Sequence, residues 1–152
     1  MGLRRPVRVV GVGSPQGDDA LGWEVIRRLR EAEMKSAGVE LHIAEGGQGL
    51  LDWLDGRGSL VIVDAIGGDR PGTIHRIEWP DPRLETLWSG STHGLRPSET
   101  LELAGVLGVL PPRVVIFGIE AAAWEPGSGM SDAVAEAVPI LVERIRKELI
   151  DA

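Results

Sequence analysis

Cysteine is absent from this chain of 152 residues, and the absence narrows the chemistry that is possible. Disulfides, thiolate metal sites and a cysteine nucleophile are all excluded. A chain without cysteine is compatible with a reducing cytosol, and we expect a cytoplasmic protein. Tyrosine is also absent and phenylalanine occurs once, so only the five tryptophans could form a platform for a sugar. This composition disfavours a glycoside hydrolase.

Long apolar runs and an excess of positive charge are missing as well. No segment approaches the roughly 20 apolar residues that a membrane-spanning helix requires, so we expect no membrane partner. The basic start, MGLRRPV, leads into an apolar stretch that Gly11 and Gly13 interrupt, which indicates a first strand rather than a signal peptide. Acidic residues outnumber basic ones by 23 to 16. This balance argues against nucleic acid as a partner.

Strand and helix patterns alternate along the chain. Fully apolar or β-branched runs predict buried strands over residues 7–12, 39–44, 60–65 and 113–119, and alternation predicts an edge strand over residues 73–79. Helical spacing predicts helices from Asp18 onward and over residues 48–54, 98–107 and 131–149. No repeat or linker divides the chain. We therefore predict a single α/β domain over residues 1–152, with a mainly parallel sheet between helices.

Three loops follow predicted strands, where ligands bind in folds of this kind. The first, GVGSPQGDDALG, places Asp18 and Asp19 at the start of a helix, where one acid would suffice as a cap. Asp64 ends a buried strand, and its desolvation is costly unless the carboxylate is paired or coordinates a cation. The third loop carries His93. Two carboxylates and an imidazole would make a plausible divalent-metal site with open positions.

A dinucleotide-binding enzyme is the main alternative at this stage, because a glycine-rich turn links a strand to a helix and Glu45 ends the next strand. The spacing, however, is G-x-G-x-x-x-G with Pro15 inside the turn. Asp18 and Asp19 would also face the pyrophosphate, at a cost of about 4 kcal/mol each for charges 4 Å apart. The serine-hydrolase elbow and the zinc-protease helix motif are both absent.

Taken together, the motifs resemble those of the hydrogenase maturation proteases nearly from end to end. The matching stretches are GVGSPQGDDALG, AEGGQGLLDWL, VIVDAIGGDRPGTIHRIE, STHGL, VVIFGIE and EPGSGMSDAVAEAVP. Six modest motifs in the same order make the resemblance specific. It implies a three-layer sandwich with a twisted, mostly parallel sheet flanked by helices.

The resemblance also implies a function and a set of site residues. Family members remove a C-terminal extension from the nickel-loaded precursor of a NiFe-hydrogenase large subunit, and the nickel arrives with that precursor. Asp19, Asp64 and His93 fall at the family's metal-contacting positions, which selects Asp19 over Asp18. We expect Asp19 or Asp64 to serve as general base, and Gly46 and Gly47 to let a substrate backbone approach. We expect a monomer. A module that checks for nickel without cutting is the alternative function.

Overall fold

The computed structural model of the chain describes residues 2–88, 95–122, 127 and 129–152. Within these ranges five strands form one sheet in the order β2-β1-β3-β5-β4. Their bounds are β1 (Val7–Gly13), β2 (Val39–Glu45), β3 (Ser59–Ile66), β4 (Ile74–Glu78) and β5 (Arg113–Glu120). Strands β2, β1, β3 and β5 are mutually parallel, and β4 pairs antiparallel with β5 at one edge. The prediction of a mostly parallel sheet with an edge strand at 73–79 is confirmed.

Helices cover both faces of the sheet and create two separate hydrophobic cores. Their bounds are α1 (Leu21–Glu31), α2 (Gly46–Leu51), α3 (Arg83–Leu87), α4 (Pro97–Leu107) and α5 (Asp132–Ile150). Helices α1 and α5 pack on one face, and α2, α3 and α4 contribute their buried side chains to the core on the other. The three-layer sandwich is therefore confirmed.

The helix boundaries depart from the sequence prediction in three places. A 3₁₀ turn, Gly17–Ala20, precedes α1, so the regular helix begins after the two aspartates. Helix α2 begins and ends earlier than the predicted span of 48–54, because Gly46 adopts the left-handed conformation (φ 62°) that turns the chain directly out of β2. Helix α3 was not predicted, since five residues carry too little periodicity to be recognised.

Helix α5 follows the prediction closely and closes the first core. Its inward stripe of apolar residues is fully buried, with Val134, Val138, Leu141, Ile145 and Leu149 all at most 1% exposed. Pro139 lies on the exposed side of the helix, where a missing backbone hydrogen bond costs least. No helix among the described residues is long and apolar enough to cross a membrane.

Close contact between α1 and the sheet is made possible by two glycines. A Cβ on Gly22 would lie 2.6 Å from the carbonyl oxygens of both Val12 and Val63, and a Cβ on Gly11 would lie 2.2 Å from the carbonyl oxygen of Gly22. Both distances are far inside van der Waals contact, so neither position tolerates a side chain. The first turn of α1 thus sits directly over the carboxyl ends of β1 and β3.

Candidate active site

Asp64 stands near the carboxyl end of β3 in a fully buried strand. Because side chains alternate along a strand, Asp64 shares the face of Ile62 and Ile66, both of which belong to the core beneath α2, α3 and α4. Its side chain is only 6% exposed, and its Oδ1 accepts the Ala65 N–H at 2.8 Å. The strand therefore presents a carboxylate at the edge of the sheet where its neighbours also end.

Asp19 reaches the same edge through the 3₁₀ turn that precedes α1. Its carbonyl oxygen accepts the Ser14 N–H at 3.1 Å, and a Cβ on Gly13 would lie 2.0 Å from that oxygen. The turn is thus pressed against the end of β1, beside β3 in the sheet. Asp19 is half-buried, and its negative charge acts on Asp64. The structure brings these two predicted site residues together.

The electrostatics of Asp64 follow from this placement. Burial raises the pKa of the Asp64 carboxyl well above its usual range, and the negative charge of Asp19 raises it further. The Ala65 N–H and the Trp88 indole lower the pKa in part without reversing the shift. Two like charges that oppose each other's ionisation inside a protein are typical of a site that binds a cation or shuttles a proton.

Trp88 is a further residue of this site that sequence reasoning missed. Its side chain is 2% exposed, and Nε1 makes no hydrogen bond of normal geometry to any described residue. The indole nevertheless lies close enough to the Asp64 carboxyl to lower its pKa. The end of α3 is held there because the Gly67 N–H donates to the Leu87 carbonyl at 2.7 Å. A buried N–H without a good acceptor requires an explanation. Here the indole N–H could donate a hydrogen bond to the Asp64 carboxylate, or to a bound substrate, after a small movement of the site.

Asp18 has a role different from the helix cap that its position suggested. Neither the 3₁₀ turn nor α1 has a side-chain cap, and Asp18 is completely buried. Its carboxylate accepts hydrogen bonds from the Ala122 N–H (2.8 Å), the Ser131 N–H (2.7 Å) and the Ser131 hydroxyl (2.8 Å). The capping interpretation of Asp18 was wrong. It could not have been corrected from local sequence, because the partners lie more than 100 residues away.

The glycine pair at the start of α2 serves two different needs. Gly46 requires a left-handed backbone and is partly exposed at the carboxyl end of β2. Gly47 is buried against the start of α4, where its N–H donates to the Leu95 carbonyl at 2.9 Å and its carbonyl accepts the Thr100 hydroxyl at 2.7 Å. A Cβ there would lie 2.4 Å from the Leu95 oxygen. The close approach at Gly47 is made by the protein's own chain.

Two of the three histidines, His42 and His75, lie within the described residues. His93 lies outside the described residues, so its predicted place in the site stays a prediction. His42 stacks on Trp53 with ring centroids 3.7 Å apart, and His75 Nε2 lies 2.7 Å from Glu120 Oε2. Both belong to local packing, as expected from their positions within strands.

The Asp19–Asp64 pair fits part of a divalent-metal site. Carboxylate oxygens are suitable ligands, and a bound cation would offset the repulsion between the two charges. Among the residues that the structure describes, however, no group of three or more potential ligands is close enough to hold a metal ion. The described part of the site therefore offers two candidate ligands, and any further ligand would come from outside the described residues or from a substrate.

Comparisons with known proteins agree with this architecture. Residues 24–148 match the family model HycI, described as hydrogenase maturation protease. The fold is similar to an Escherichia coli endopeptidase solved in solution (TM-score 0.78, 25% identity, covering 95% of this chain and 92% of that one). It is also similar to the Thermococcus kodakarensis NiFe-hydrogenase maturation protease HycI (0.72, 25%, 96% and 93%) and to the Escherichia coli hydrogenase maturating endopeptidase HybD (0.76, 23%, 95% and 92%). Among curated proteins, none matches this sequence significantly.

Proposed function

The chain belongs to the hydrogenase maturation protease family, and we propose that it removes the C-terminal extension from the precursor of a NiFe-hydrogenase large subunit. The family model spans most of the chain, and the sandwich matches solved endopeptidases over more than nine-tenths of its length. Peptidase activity follows from the family. The substrate and the part played by nickel are our proposal.

The observation that supports this proposal most directly is the like-charged pair formed by Asp19 and Asp64. Burial and the charge of Asp19 both raise the pKa of Asp64, so the pair without a cation is electrostatically unfavourable. A divalent cation would reverse that balance and favour both ionised carboxylates. Among the described residues of this site only this pair of carboxylates could contact a metal ion, which is too few ligands to hold one tightly. Such a site is suited to a nickel ion that the precursor itself carries.

The residues of the chain divide the work at this site. Asp64 is held by the Ala65 N–H and faced by the Trp88 indole, so it is the rigid member that would contact the nickel. Asp19 is more exposed and would complete the contact or take a proton from the attacking water as general base. Nickel in the precursor would supply Lewis-acid activation of the scissile peptide bond. By resemblance to the family, His93 would be the third contact.

Of the two glycines, Gly46 is the one suited to contact the substrate backbone. It is partly exposed at the carboxyl end of β2, next to the end of β1 that supports Asp19. Gly47 has its space filled by Leu95 and Thr100, so we assign it to packing. A backbone without a side chain at Gly46 would let an extended substrate segment lie close to the site.

The proposal is tested by incubating the protein with a large-subunit precursor in nickel-loaded and nickel-free forms. Intact-mass spectrometry should record loss of the C-terminal extension only from the loaded form. Cleavage of nickel-free precursor at the same rate would remove nickel from the mechanism. Asp52→Asn is a matched control, because this exposed aspartate just after α2 lies away from the site and its variant should cleave like the parent.

The same experiment separates cleavage from a checking function. A protein that binds loaded precursor in a stable complex but leaves its mass unchanged, for several candidate precursors, would be a nickel-checking module. Rapid mass loss with release of the product is the result that the endopeptidase proposal requires.

A further inference from the structure

The Asp18 carboxylate joins two segments that are distant in sequence. Its hydrogen bonds go to Ala122, just after β5, and to Ser131, just before α5. The donors therefore mark the two ends of the connection between β5 and α5. We call Asp18, Ala122 and Ser131 the clasp. Through it one buried carboxylate fixes the 3₁₀ turn against a part of the chain more than 100 residues away.

Through its hydroxyl, Ser131 bonds to Asp18 and does not cap the start of α5. It occupies the N-cap position of α5 with an extended backbone, yet its side chain makes no capping bond. A serine cap typically stabilises a helix by about 1 kcal/mol. Here the hydroxyl donates to Asp18 instead, at 2.8 Å. A hydrogen bond to a charged carboxylate is stronger than one between neutral groups, so the Ser131 hydroxyl is more stable bonded to Asp18 than it would be as the cap of α5.

The 3₁₀ turn is held from its other side by backbone contacts. The Asp19 carbonyl accepts the Ser14 N–H, and the Asp19 N–H donates to the Gln16 carbonyl at 3.0 Å. Gly13 packs directly under that carbonyl. Asp18 and Asp19 are consecutive, so the clasp and these backbone bonds together fix the position of the backbone from which the Asp19 side chain extends.

We propose that Asp18 is a positioning residue of the reaction: through the clasp it fixes the orientation of Asp19 toward Asp64, without itself touching the substrate. This inference rests on the proposed function. Catalysis depends steeply on placement, and a displacement of about 1 Å can cost about 100-fold in rate. Loosening the clasp should therefore lower kcat, while surfaces that bind the precursor elsewhere keep KM unchanged.

The test uses Ser131, because Asp18 variants lose every hydrogen bond of the clasp and are at greater risk of unfolding. Ser131→Ala removes one donor and leaves the Ser131 and Ala122 backbone bonds, whereas Ser131→Thr keeps the hydroxyl. Ile145→Val is the stability control, since it trims a buried methyl group on the same helix, far from the clasp, at a cost of about 1 kcal/mol. Melting temperature, kcat and KM are measured with nickel-loaded precursor.

We expect Ser131→Ala to lower kcat by about 10- to 100-fold with KM within about twofold, in line with losses on removing supporting contacts. Ser131→Thr should restore most of kcat, and Ile145→Val should melt lower than the parent with parental kcat. Parental kcat in Ser131→Ala, despite a lower melting temperature, would overturn the positioning role and leave the proposed function intact. If the parent itself cuts no precursor, both proposals fail, because positioning for a reaction requires the reaction.

Discussion

A methyl group added at Gly47 would test how the start of α2 is packed against α4. An ideal Cβ at this position would lie 2.4 Å from the Leu95 carbonyl oxygen, 2.6 Å from Thr100 Oγ1 and 2.8 Å from the Arg96 carbonyl oxygen. Two of these atoms belong to the backbone, and Thr100 Oγ1 is fixed by its bond to the Gly47 carbonyl. The Gly47→Ala change therefore forces the two segments apart.

The magnitude follows from two opposing effects. Overpacking of a filled site costs about 1–3 kcal/mol, and more where backbone must move. Replacing a helical glycine by alanine contributes about 1 kcal/mol in the other direction. Gly49→Ala in the same helix isolates the second effect, because the three atoms nearest to its Cβ would all belong to Ala44, at 3.3 Å or more. We expect Gly47→Ala to be less stable than Gly49→Ala by about 1–3 kcal/mol, or roughly 2–4 °C in melting temperature per kcal/mol.

Thermal melts and urea titrations of the parent and both variants measure this difference. A Gly47→Ala protein that melts with or above Gly49→Ala would refute the packing explanation of Gly47. It would also restore the interpretation in which Gly47, like Gly46, keeps space free for a substrate.

Three further predictions concern buried polar groups. Because the pKa of Asp64 in the folded protein is raised, the stability that its neutral form provides is present at low pH and is lost as pH rises through that pKa. Asp64→Asn should remove this loss and melt at or above the parent at neutral pH, and a clearly lower melting temperature would contradict the raised pKa. Trp88→Phe should melt somewhat lower than the parent, because the smaller ring leaves a cavity in the core, and should lower kcat at constant KM. Trp79→Phe is the control, and unchanged kcat would exclude the indole from the site. Hydrogen bonds from His75 and the Arg70 N–H outweigh burial and lower the pKa of Glu120, so Glu120→Gln should be less stable than the parent at neutral pH. That gap should close as pH falls through the lowered pKa, and a gap independent of pH would reject the argument.

Much of the fold could be predicted because its signals are local. Strands β1, β3 and β5 were predicted from continuous apolar runs, and helix α5 was predicted from the helical spacing of its apolar residues. The edge strand β4 was recognisable from alternation, but its antiparallel direction was not predicted. Helix α3 and the early start of α2 were not, since a five-residue helix and a left-handed glycine leave no periodic pattern.

Of the candidate site, the sequence alone pointed to individual carboxylates but not to their partners. Asp64 stood out because a charge at the end of a buried strand requires a reason. Asp18 and Asp19 are identical in type and adjacent, and nothing local distinguishes the buried clasp from the residue that acts on Asp64. Trp88 follows a short helix and is 24 residues after Asp64, so its approach depends on tertiary folding. Each of these features is set by contacts between distant segments.

We propose that cleavage of the precursor requires both Asp19 and Asp64, and single-turnover cleavage of nickel-loaded precursor is the experiment that decides this. The parent, Asp19→Asn, Asp64→Asn and the control Asp52→Asn are compared by intact mass, with folding checked by thermal melts. We expect full mass loss with the parent and Asp52→Asn, and uncut precursor with folded Asp19→Asn and Asp64→Asn. Cleavage at the parental rate by either site variant would contradict it.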